Sequence, residues 1–284
     1  MYIKFGVDSF IWSEAFTEKD LWIIQKAKDM GFELIDFAIS DPFTFPTQVV
    51  KAELQRVGMD CVCTTSLTDT TNPVSPDPAI RAAAVKAVKK AVDICNDLGA
   101  PILGGMCYAS WGYLTRKPRT QDEWNYAVEC MCESAEYAKA TGNVIICPEC
   151  VNRFETHILN IAEDAVRFCK EVGTGNVKVH LDCFHMIREE KGFRKAVETC
   201  GDYLGYVHVN ENDRGIPGTG MVPFDEFFRA IRDIGYTGPM VIESFDMKFT
   251  KLAGNCAIWR KLAESGEELA ELGLKNLKEI AGRI

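Results

Sequence analysis

The feature that most constrains the fold is the alternation of short apolar runs with longer amphipathic segments, repeated eight times over the 284 residues. The short runs are rich in β-branched and aromatic residues, which is typical of strands, and the longer segments place apolar residues at helical spacing. Several of the helical segments end at a glycine, a common helix stop signal. The predicted strands are 3–8, 34–37, 60–64, 101–105, 143–149, 177–182, 204–209 and 239–243. The predicted helices are 18–30, 46–57, 78–98, 120–141, 157–172, 189–200, 224–234 and 267–281.

This order of elements determines the expected architecture. Strictly alternating strands and helices give a parallel sheet, and eight such units close into a barrel. We therefore predict an α/β fold, a (β/α)8 TIM barrel, formed by a single domain over residues 1–284. The length fits, because a barrel of this kind typically needs about 250 residues.

Polar side chains stand at the ends of the last four strands in the second half of the chain. Glu149 ends the fifth predicted strand, Asp182 the sixth, His208 lies at the end of the seventh and Glu243 ends the eighth. The gaps between them are 33, 26 and 35 residues, about one strand–helix unit each. Because the C-terminal strand ends of a barrel meet at one mouth, we expect these four side chains to converge.

Three carboxylates and one imidazole at one point predict a metal site. Their mutual repulsion raises pKa values unless a cation intervenes, and buried carboxylates need such a partner. The oxygen-rich set with one histidine suits Mn²⁺, Mg²⁺ or Co²⁺ better than a thiolate-type zinc site. The alternative is that each residue is an isolated polar strand end, which caps a helix or binds water.

The overall charge and the cysteines restrict the partners and the compartment. A net charge of −9 argues against nucleic acid and against an anionic membrane surface, both of which attract basic proteins. No apolar run approaches the ~20 residues of a membrane span, and the first residues, 1–7, do not resemble a signal peptide. The 12 cysteines are scattered and are expected to be reduced, so a cytoplasmic protein is predicted. Cys147 and Cys150 form one CxxC pair without the second pair that structural zinc requires, and packing is the preferred interpretation.

Several segments together resemble one family. The sequence is similar over nearly its whole length to the D-tagatose 3-epimerase/D-psicose (allulose) 3-epimerase family of xylose isomerase-like barrels. The most specific segments run from Glu149 to Glu155 and from Val177 to Met186. The others are His208 to Gly220, Val241 to Phe245, Ser75 to Pro78, and Gly104-Gly105 with Tyr108 and Trp111.

The resemblance implies a function and roles for these residues. It implies a metal-dependent ketose 3-epimerase that acts on a free ketose through an enediolate, with no organic cofactor, and with Mn²⁺ as the first choice of metal. It implies that Glu149, Asp182, His208 and Glu243 hold the metal, and that Glu149 and Glu243 are also the acid/base pair on opposite faces of C3. Glu155, His185 and Arg214 would bind sugar hydroxyls, and Trp111 would wall the pocket. The family also implies homodimers or homotetramers.

Departures from the family leave the substrate open. The run from Asn210 to Gly215 replaces a Gly-Glu-Cys-Asn-Arg-like run, and the first strand offers Asp8, Phe10 and Trp12 in place of a tyrosine-rich edge. A related enzyme could act on another sugar, as a sugar isomerase or as a subunit that cleaves C-glycosides. The glycine-rich run from Gly215 to Gly220 leaves a sugar-phosphate substrate as a further alternative.

Two other classes of function are disfavoured by the sequence. An endonuclease IV-like DNA repair enzyme needs a trinuclear zinc site and a basic face, which four histidines and the acidic charge disfavour. A non-enzymatic sugar-binding or assembly subunit is disfavoured by the intact Glu149 and Glu243.

His180 shares the strand face of Asp182, so it is either a hydrogen-bonded core histidine or a partner of the metal carboxylates. His157 is predicted to open the fifth helix in contact with solvent.

Overall fold

The barrel is formed by eight parallel strands in one sheet. The computed structural model describes residues 3–284, so the first two residues of the predicted domain lie outside the described part. The strands are β1 Phe5–Asp8, β2 Leu34–Ile39, β3 Asp60–Leu67, β4 Ile102–Ser110, β5 Ile145–Pro148, β6 Val179–Asp182, β7 Leu204–His208 and β8 Met240–Ile242. Their order in the sheet is β5-β4-β3-β2-β1-β8-β7-β6, and parallel bridges from Ile146 to Val177 and from Glu149 to His180 join β5 to β6. The predicted (β/α)8 barrel is confirmed.

Helices connect the strands. They are α1 Trp22–Asp29, α2 Thr47–Val57, α3 Pro78–Leu98, α4 Gln121–Thr141, α5 Ala162–Val172, α6 Cys183–Glu189, α7 Phe193–Cys200, α8 Phe224–Asp233, α9 Thr250–Asn255 and α10 Gly266–Gly282. Within residues 3–284, none of these helices combines the length and the apolar character that crossing a membrane requires.

The best predicted boundaries are those with clear capping residues. α3 spans the predicted 78–98, because Asp77 accepts a hydrogen bond from the Ala79 N–H and Gly99 ends the helix with a φ of +76°. α4 begins one residue after Thr120, which forms a reciprocal capping box with Glu123. These residues stabilise the helix ends locally, so the sequence reveals them.

The predicted start of the fifth helix is wrong. α5 begins at Ala162, and residues 156–161 form a loop in which the Asn160 amide donates to the carbonyls of Val151 and Thr156. His157 therefore lies in this loop rather than in a helix. Its Nε2 is 3.2 Å from a carboxylate oxygen of Glu123, and it is only partly exposed, so the prediction of a solvated helical histidine is also wrong.

Other boundaries also differ from the prediction. β4 extends to Ser110 rather than ending at residue 105, and α1 begins at Trp22 rather than at residue 18. α6 follows β6 directly and was not predicted, and α7 begins at Phe193 rather than at residue 189. α9 lies in a stretch that was expected to be irregular. α6 and α9 have seven and six residues, too few for a hydrophobic period to be recognised with certainty.

Gly104 allows a tyrosine to pack inside the barrel, and a methyl group there is expected to destabilise the protein. A Cβ on Gly104 would lie 2.8 Å from a Tyr206 ring carbon and 3.1 Å from Cγ2 of Thr64. The Tyr206 ring cannot easily move away, because it is fully buried and its hydroxyl donates to Asp36. We expect Gly104→Ala to lower the free energy of unfolding by about 1–3 kcal/mol.

A thermal melt beside a glycine control tests this expectation. In α9, a Cβ on Gly254 would meet nothing within 4 Å, so Gly254→Ala serves as the matched substitution. Equal melting temperatures for Gly104→Ala and Gly254→Ala would show that the barrel interior has room at Gly104.

Candidate functional site

The four polar strand-end residues meet at the C-terminal mouth of the barrel. Asp182 and His208 are the last residues of β6 and β7 and lie side by side in the sheet register. Glu149 and Glu243 directly follow β5 and β8. Glu149, His208 and Glu243 line a cavity of about 790 Å³, which includes the part open to solvent. The structure thus brings together the residues that the sequence pattern selected.

Their side-chain atoms are close enough for a metal ion to be shared. Asp182, His208 and Glu243 each offer one ligand atom, and these three atoms lie within 4.8 Å of one another. Glu149 forms two further groups of this kind, one with His180 and His208 and one with Asp182 and His185. The four predicted ligands are therefore divided among three overlapping groups. Glu149, Asp182 and His208 each belong to two of these groups.

Asn210 and Arg214 hold the carboxylates in place. Asp182 Oδ2 accepts hydrogen bonds from Asn210 Nδ2 at 2.7 Å and from Arg214 Nη1 at 2.8 Å. The same Arg214 nitrogen donates to Glu243 Oε2 at 2.7 Å, and the Glu243 N–H donates to Asn210 Oδ1. Asn210 thus fixes two predicted metal ligands at once. It belongs to the run that departs from the family that the sequence resembles. Sequence reasoning gave it no role.

The orientation of His208 depends on a carboxylate that sequence reasoning missed. His208 Nε2 lies 3.3 Å from Asp36 Oδ2 and 3.3 Å from the Tyr206 hydroxyl. Its Nδ1 has no hydrogen-bond partner and is 3.5 Å from Glu243 Oε2 and 3.6 Å from Asp182 Oδ2. A proton on Nε2, facing Asp36, leaves the Nδ1 lone pair free for a cation. The sequence feature that points to Asp36 is its position as a carboxylate inside the apolar run of β2.

Burial and mutual repulsion perturb the carboxylates of the mouth. Burial, followed by the charges of Asp182 and Glu243, raises the pKa of Glu149 well above its usual value. Burial alone would also raise the pKa of Asp182, but the positive charge of Arg214, together with the neighbouring His208, brings it well below its usual value. The pKa of Glu243 is lowered for the same reasons, again against the effect of burial.

The mouth carries more negative charge than its side chains neutralise. Asp8, Asp36, Glu149 and Asp182 are buried, and Arg214 is the only buried Lys or Arg among residues 3–284. Burial and the charges of Asp36 and Glu243 raise the pKa of Asp8 well above its usual value. This imbalance favours the binding of a cation.

Four buried polar atoms at this mouth have no hydrogen-bond partner. They are Asp8 Oδ2, Glu149 Oε1, His180 Nε2 and His208 Nδ1. Buried polar atoms without partners are costly, and each unexpected case calls for an explanation. Asp8 Oδ2, Glu149 Oε1 and His208 Nδ1 can each donate an electron pair, so this donor set fits a divalent cation. His180 Nε2 carries the ring proton instead, because His180 Nδ1 accepts from the Gly105 N–H.

The predicted sugar contacts also line the cavity. Trp111 Nε1 donates to Glu155 Oε2 at 2.7 Å, and Asn152 Nδ2 donates to Glu155 Oε1 at 2.7 Å. The Asn152 N–H donates to His185 Nδ1 at 3.1 Å, so the His185 proton belongs on Nε2. That nitrogen is 3.7 Å from Glu149 Oε1 and 3.3 Å from Arg214 Nη2. Asn152, which orients two of these residues, was not predicted.

The CxxC pair is buried away from this chemistry. Cys147 and Cys150 are almost completely inaccessible to solvent. Burial is the largest cause that raises the pKa of both thiols well above the usual value. Because thiolates are the form that binds zinc and reacts, these cysteines fit the packing interpretation.

Comparisons with known proteins agree with the geometry. The sequence profile of the family described as "Xylose isomerase-like TIM barrel" matches residues 24–280. An L-ribulose 3-epimerase of Methylomonas sp. is 35% identical over 280 residues, covering 98% of this chain and 97% of the relative. A ketose 3-epimerase of Arthrobacter globiformis is 33% identical over 270 residues, covering 94% and 93%.

A solved structure gives the same result. The crystal structure of a D-allulose 3-epimerase from Methylomonas sp., in complex with D-allulose, superposes with a TM-score of 0.93 at 33% identity. The match covers 98% of this chain and 96% of the solved chain. The similarity therefore extends through the whole barrel and its connecting loops.

Proposed function

This chain belongs to the ketose 3-epimerase family of xylose isomerase-like TIM barrels, and on that premise we propose that it is a metal-dependent enzyme that interconverts the C3 epimers of a free ketose. The observation that carries the proposal is the position of Glu149 and Glu243 in one cavity, on either side of the Asp182–His208 pair. The strands before them, β5 and β8, are separated by β6 and β7 around the barrel. Two carboxylates can thus reach one substrate from two directions.

We assign the metal to Glu149, Asp182, His208 and Glu243. The support is the unpartnered Glu149 Oε1 and His208 Nδ1, together with the close approach of Asp182, His208 and Glu243. A bound divalent cation would supply Lewis-acid polarisation of the ketose C2 carbonyl. Oxygen-rich donors with one imidazole make Mn²⁺ the first choice, with Co²⁺ or Mg²⁺ as alternatives.

The two glutamates would move the proton. The C3 hydrogen is acidified by the neighbouring C2 carbonyl, so one carboxylate can remove it and leave an enediolate on the sugar. The other carboxylate then returns a proton to the opposite face, which inverts C3. General acid–base catalysis by a positioned group contributes roughly 10²–10⁴-fold to the rate.

The remaining predicted residues would orient the sugar. Glu155, held by Trp111 and Asn152, keeps its side chain about a quarter exposed and can accept from substrate hydroxyls. The His185 Nε2–H and the Arg214 guanidinium can donate to sugar oxygens. Trp111 contributes an aromatic wall against which the apolar face of a sugar can pack.

The charges of the cavity favour a free ketose over a phosphorylated one. Among the described residues that line the cavity, Arg214 is the sole Lys or Arg, and it is already paired with Asp182 and Glu243. Two glycine amides of the run from Gly215 to Gly220 are also already engaged. The Gly215 N–H donates to Asp213, and the Gly218 N–H donates to the buried Glu211.

We extend the proposal to the state of the protein in the cell. All 12 cysteines are free thiols and most are buried, which suits a reducing cytoplasm. Family resemblance supports a homodimer or a homotetramer. Size-exclusion chromatography with light scattering measures this directly, and a purely monomeric protein would contradict it.

A substrate panel tests the proposed function. The full chain with added Mn²⁺ is incubated with free pentuloses and hexuloses and, in parallel, with their phosphate esters, and the products are identified by NMR. We expect a C3 epimer from at least one free ketose and slower conversion of its phosphate ester. A faster reaction of the ester, an aldose product or the release of an aglycone from a C-glycoside would each replace the proposal with another activity.

Asp36 is expected to control metal affinity although it is not a proposed ligand. Asp36→Asn removes the negative charge facing His208 Nε2, and partners of this kind typically change metal affinity about 10–100-fold. We expect isothermal titration calorimetry to give a larger dissociation constant for Mn²⁺, which means weaker binding. The matched control is Asp60→Asn, an exposed aspartate that pairs with Lys4 at the other end of the barrel. Equal affinities for both variants would show that Asp36 does not orient His208.

A further inference from the structure

Glu211 is a completely buried carboxylate in the loop that joins β7 to α8. Its Oε1 accepts hydrogen bonds from the N–H groups of Asn212 at 3.0 Å and Val222 at 2.9 Å. Its Oε2 accepts from the Gly218 N–H at 3.0 Å. Three backbone donors thus compensate the burial of this side chain, and they come from the beginning, the middle and the end of the loop.

The loop backbone packs tightly around this side chain. A Cβ on Gly220 would lie 2.6 Å from Cγ and Cδ of Glu211, so only a glycine fits beside it. On the outer side, Asn276 Nδ2 of α10 donates to the Pro217 carbonyl at 2.9 Å. The β7–α8 loop is therefore built around the Glu211 carboxylate and is held against the barrel.

Arg214 lies in the same loop with a strained backbone. Its φ is +65°, in the left-handed region that side chains other than glycine rarely adopt. The positive φ falls on Arg214 and not on Gly215, which would adopt it without steric cost. The Arg214 N–H donates to the Glu211 carbonyl at 3.0 Å, and its carbonyl accepts from Ser244 Oγ at 2.6 Å. Strain of this kind persists only where the surroundings impose it, and it is concentrated at functional sites.

This backbone conformation accompanies the placement of the guanidinium in the cavity. The Arg214 Cζ lies 4.1 Å from the centroid of the Phe184 ring, and Nη1 donates to Asp182 and Glu243. Glu211 itself is not among the described residues that line the cavity. Any effect of Glu211 on the sugar must therefore pass through the loop and Arg214.

We propose that Glu211 is a positioning residue for Arg214. Its carboxylate fixes the β7–α8 loop in the shape that keeps Arg214 in the left-handed region and its guanidinium in the cavity. This inference rests on the proposed function, in which Arg214 donates to sugar oxygens. Glu211→Gln tests it, because an amide accepts at one oxygen only and turns its NH₂ group toward backbone N–H donors.

A double-mutant cycle separates positioning from general stabilisation of the loop. We measure kcat/KM of the full chain at saturating Mn²⁺ for Glu211→Gln, Arg214→Lys and the double variant, with a free ketose that the wild type epimerises. Glu211→Gln should lower kcat/KM about tenfold in the wild type and about twofold or less in Arg214→Lys, where the oriented guanidinium is already absent. Equal losses in both backgrounds would overturn the inference.

Two further variants complete the cycle. Glu190→Gln is the matched control, since Glu190 is a partly exposed glutamate that accepts the Ala162 N–H outside the cavity, and its kcat/KM should not change. If Glu211→Gln does not fold, Ser244→Ala replaces it, because this change removes the hydrogen bond to the Arg214 carbonyl. Its smaller loss should likewise disappear in Arg214→Lys, and a loss that remains would contradict the positioning role.

A crystal structure of Glu211→Gln gives a readout that does not depend on activity. We expect the φ of Arg214 to leave the left-handed region and the contacts of Nη1 with Asp182 and Glu243 to be lost. An unchanged Arg214 would overturn the inference. A wild type that epimerises no free ketose would refute the proposed function, whereas this structure would still decide whether Glu211 places Arg214.

Discussion

Replacing Glu149 or Glu243 with glutamine is expected to abolish turnover while the barrel remains folded. Either amide retains the size of the side chain but can neither remove nor return a proton at C3. Loss of a positioned acid or base typically costs roughly 10²–10⁴-fold in rate, and these residues are also proposed metal ligands, so we expect the upper part of that range. The rate is measured as kcat at saturating metal, so that weaker metal binding does not imitate a catalytic defect.

Glu129→Gln provides the matched control for both variants. Glu129 is exposed on α4, away from the cavity, and the same change there should leave kcat unaltered. Circular dichroism tests whether each variant is folded. Near-normal kcat in either Glu149→Gln or Glu243→Gln would refute the acid/base assignment.

Removal of divalent metal is expected to eliminate activity and to lower the melting temperature. Without a cation the buried carboxylates of the mouth repel one another, and Arg214 is the only buried guanidinium available to offset them among residues 3–284. An ion at 100 times its dissociation constant stabilises the folded state by about 2.7 kcal/mol. Dialysis against EDTA should therefore reduce both quantities, and Mn²⁺ or Co²⁺ should restore both.

The control for metal removal is a sample dialysed in parallel without chelator. Activity that persists after EDTA treatment, with the metal content verified by elemental analysis, would contradict a metal-dependent reaction. Recovery of stability without recovery of activity would indicate that the added ion binds but does not support catalysis.

Much of the fold and part of the candidate site follow from local sequence patterns. The alternation of strand-like and helix-like hydrophobic patterns predicts eight strand–helix units. The polar residues at the ends of the last four strands indicate a metal site, formed by Glu149, Asp182, His208 and Glu243. Helix ends with capping side chains, such as Asp77 and Thr120, are located to within one residue. These features depend on residues that are near one another in the chain.

Contacts across the barrel could not be predicted in the same way. Asp36 and Tyr206 are 170 positions apart, and their hydrogen bond depends on the closure of the sheet. Asn210 gains its role only because β6, β7 and β8 are adjacent, so that one amide reaches Asp182 and the Glu243 backbone. The environment of His180, between β5 and β7, likewise depends on the closed barrel.

The most direct test of the central claim is proton exchange at C3 of a free ketose in D₂O, followed by NMR with the metal-loaded full chain. The account predicts that deuterium appears at C3 as the C3 epimer accumulates, and that Glu149→Gln and Glu243→Gln show no epimer. Exchange at C1 with formation of an aldose, or epimer formation in which the C3 hydrogen is retained, would contradict proton transfer by these two carboxylates.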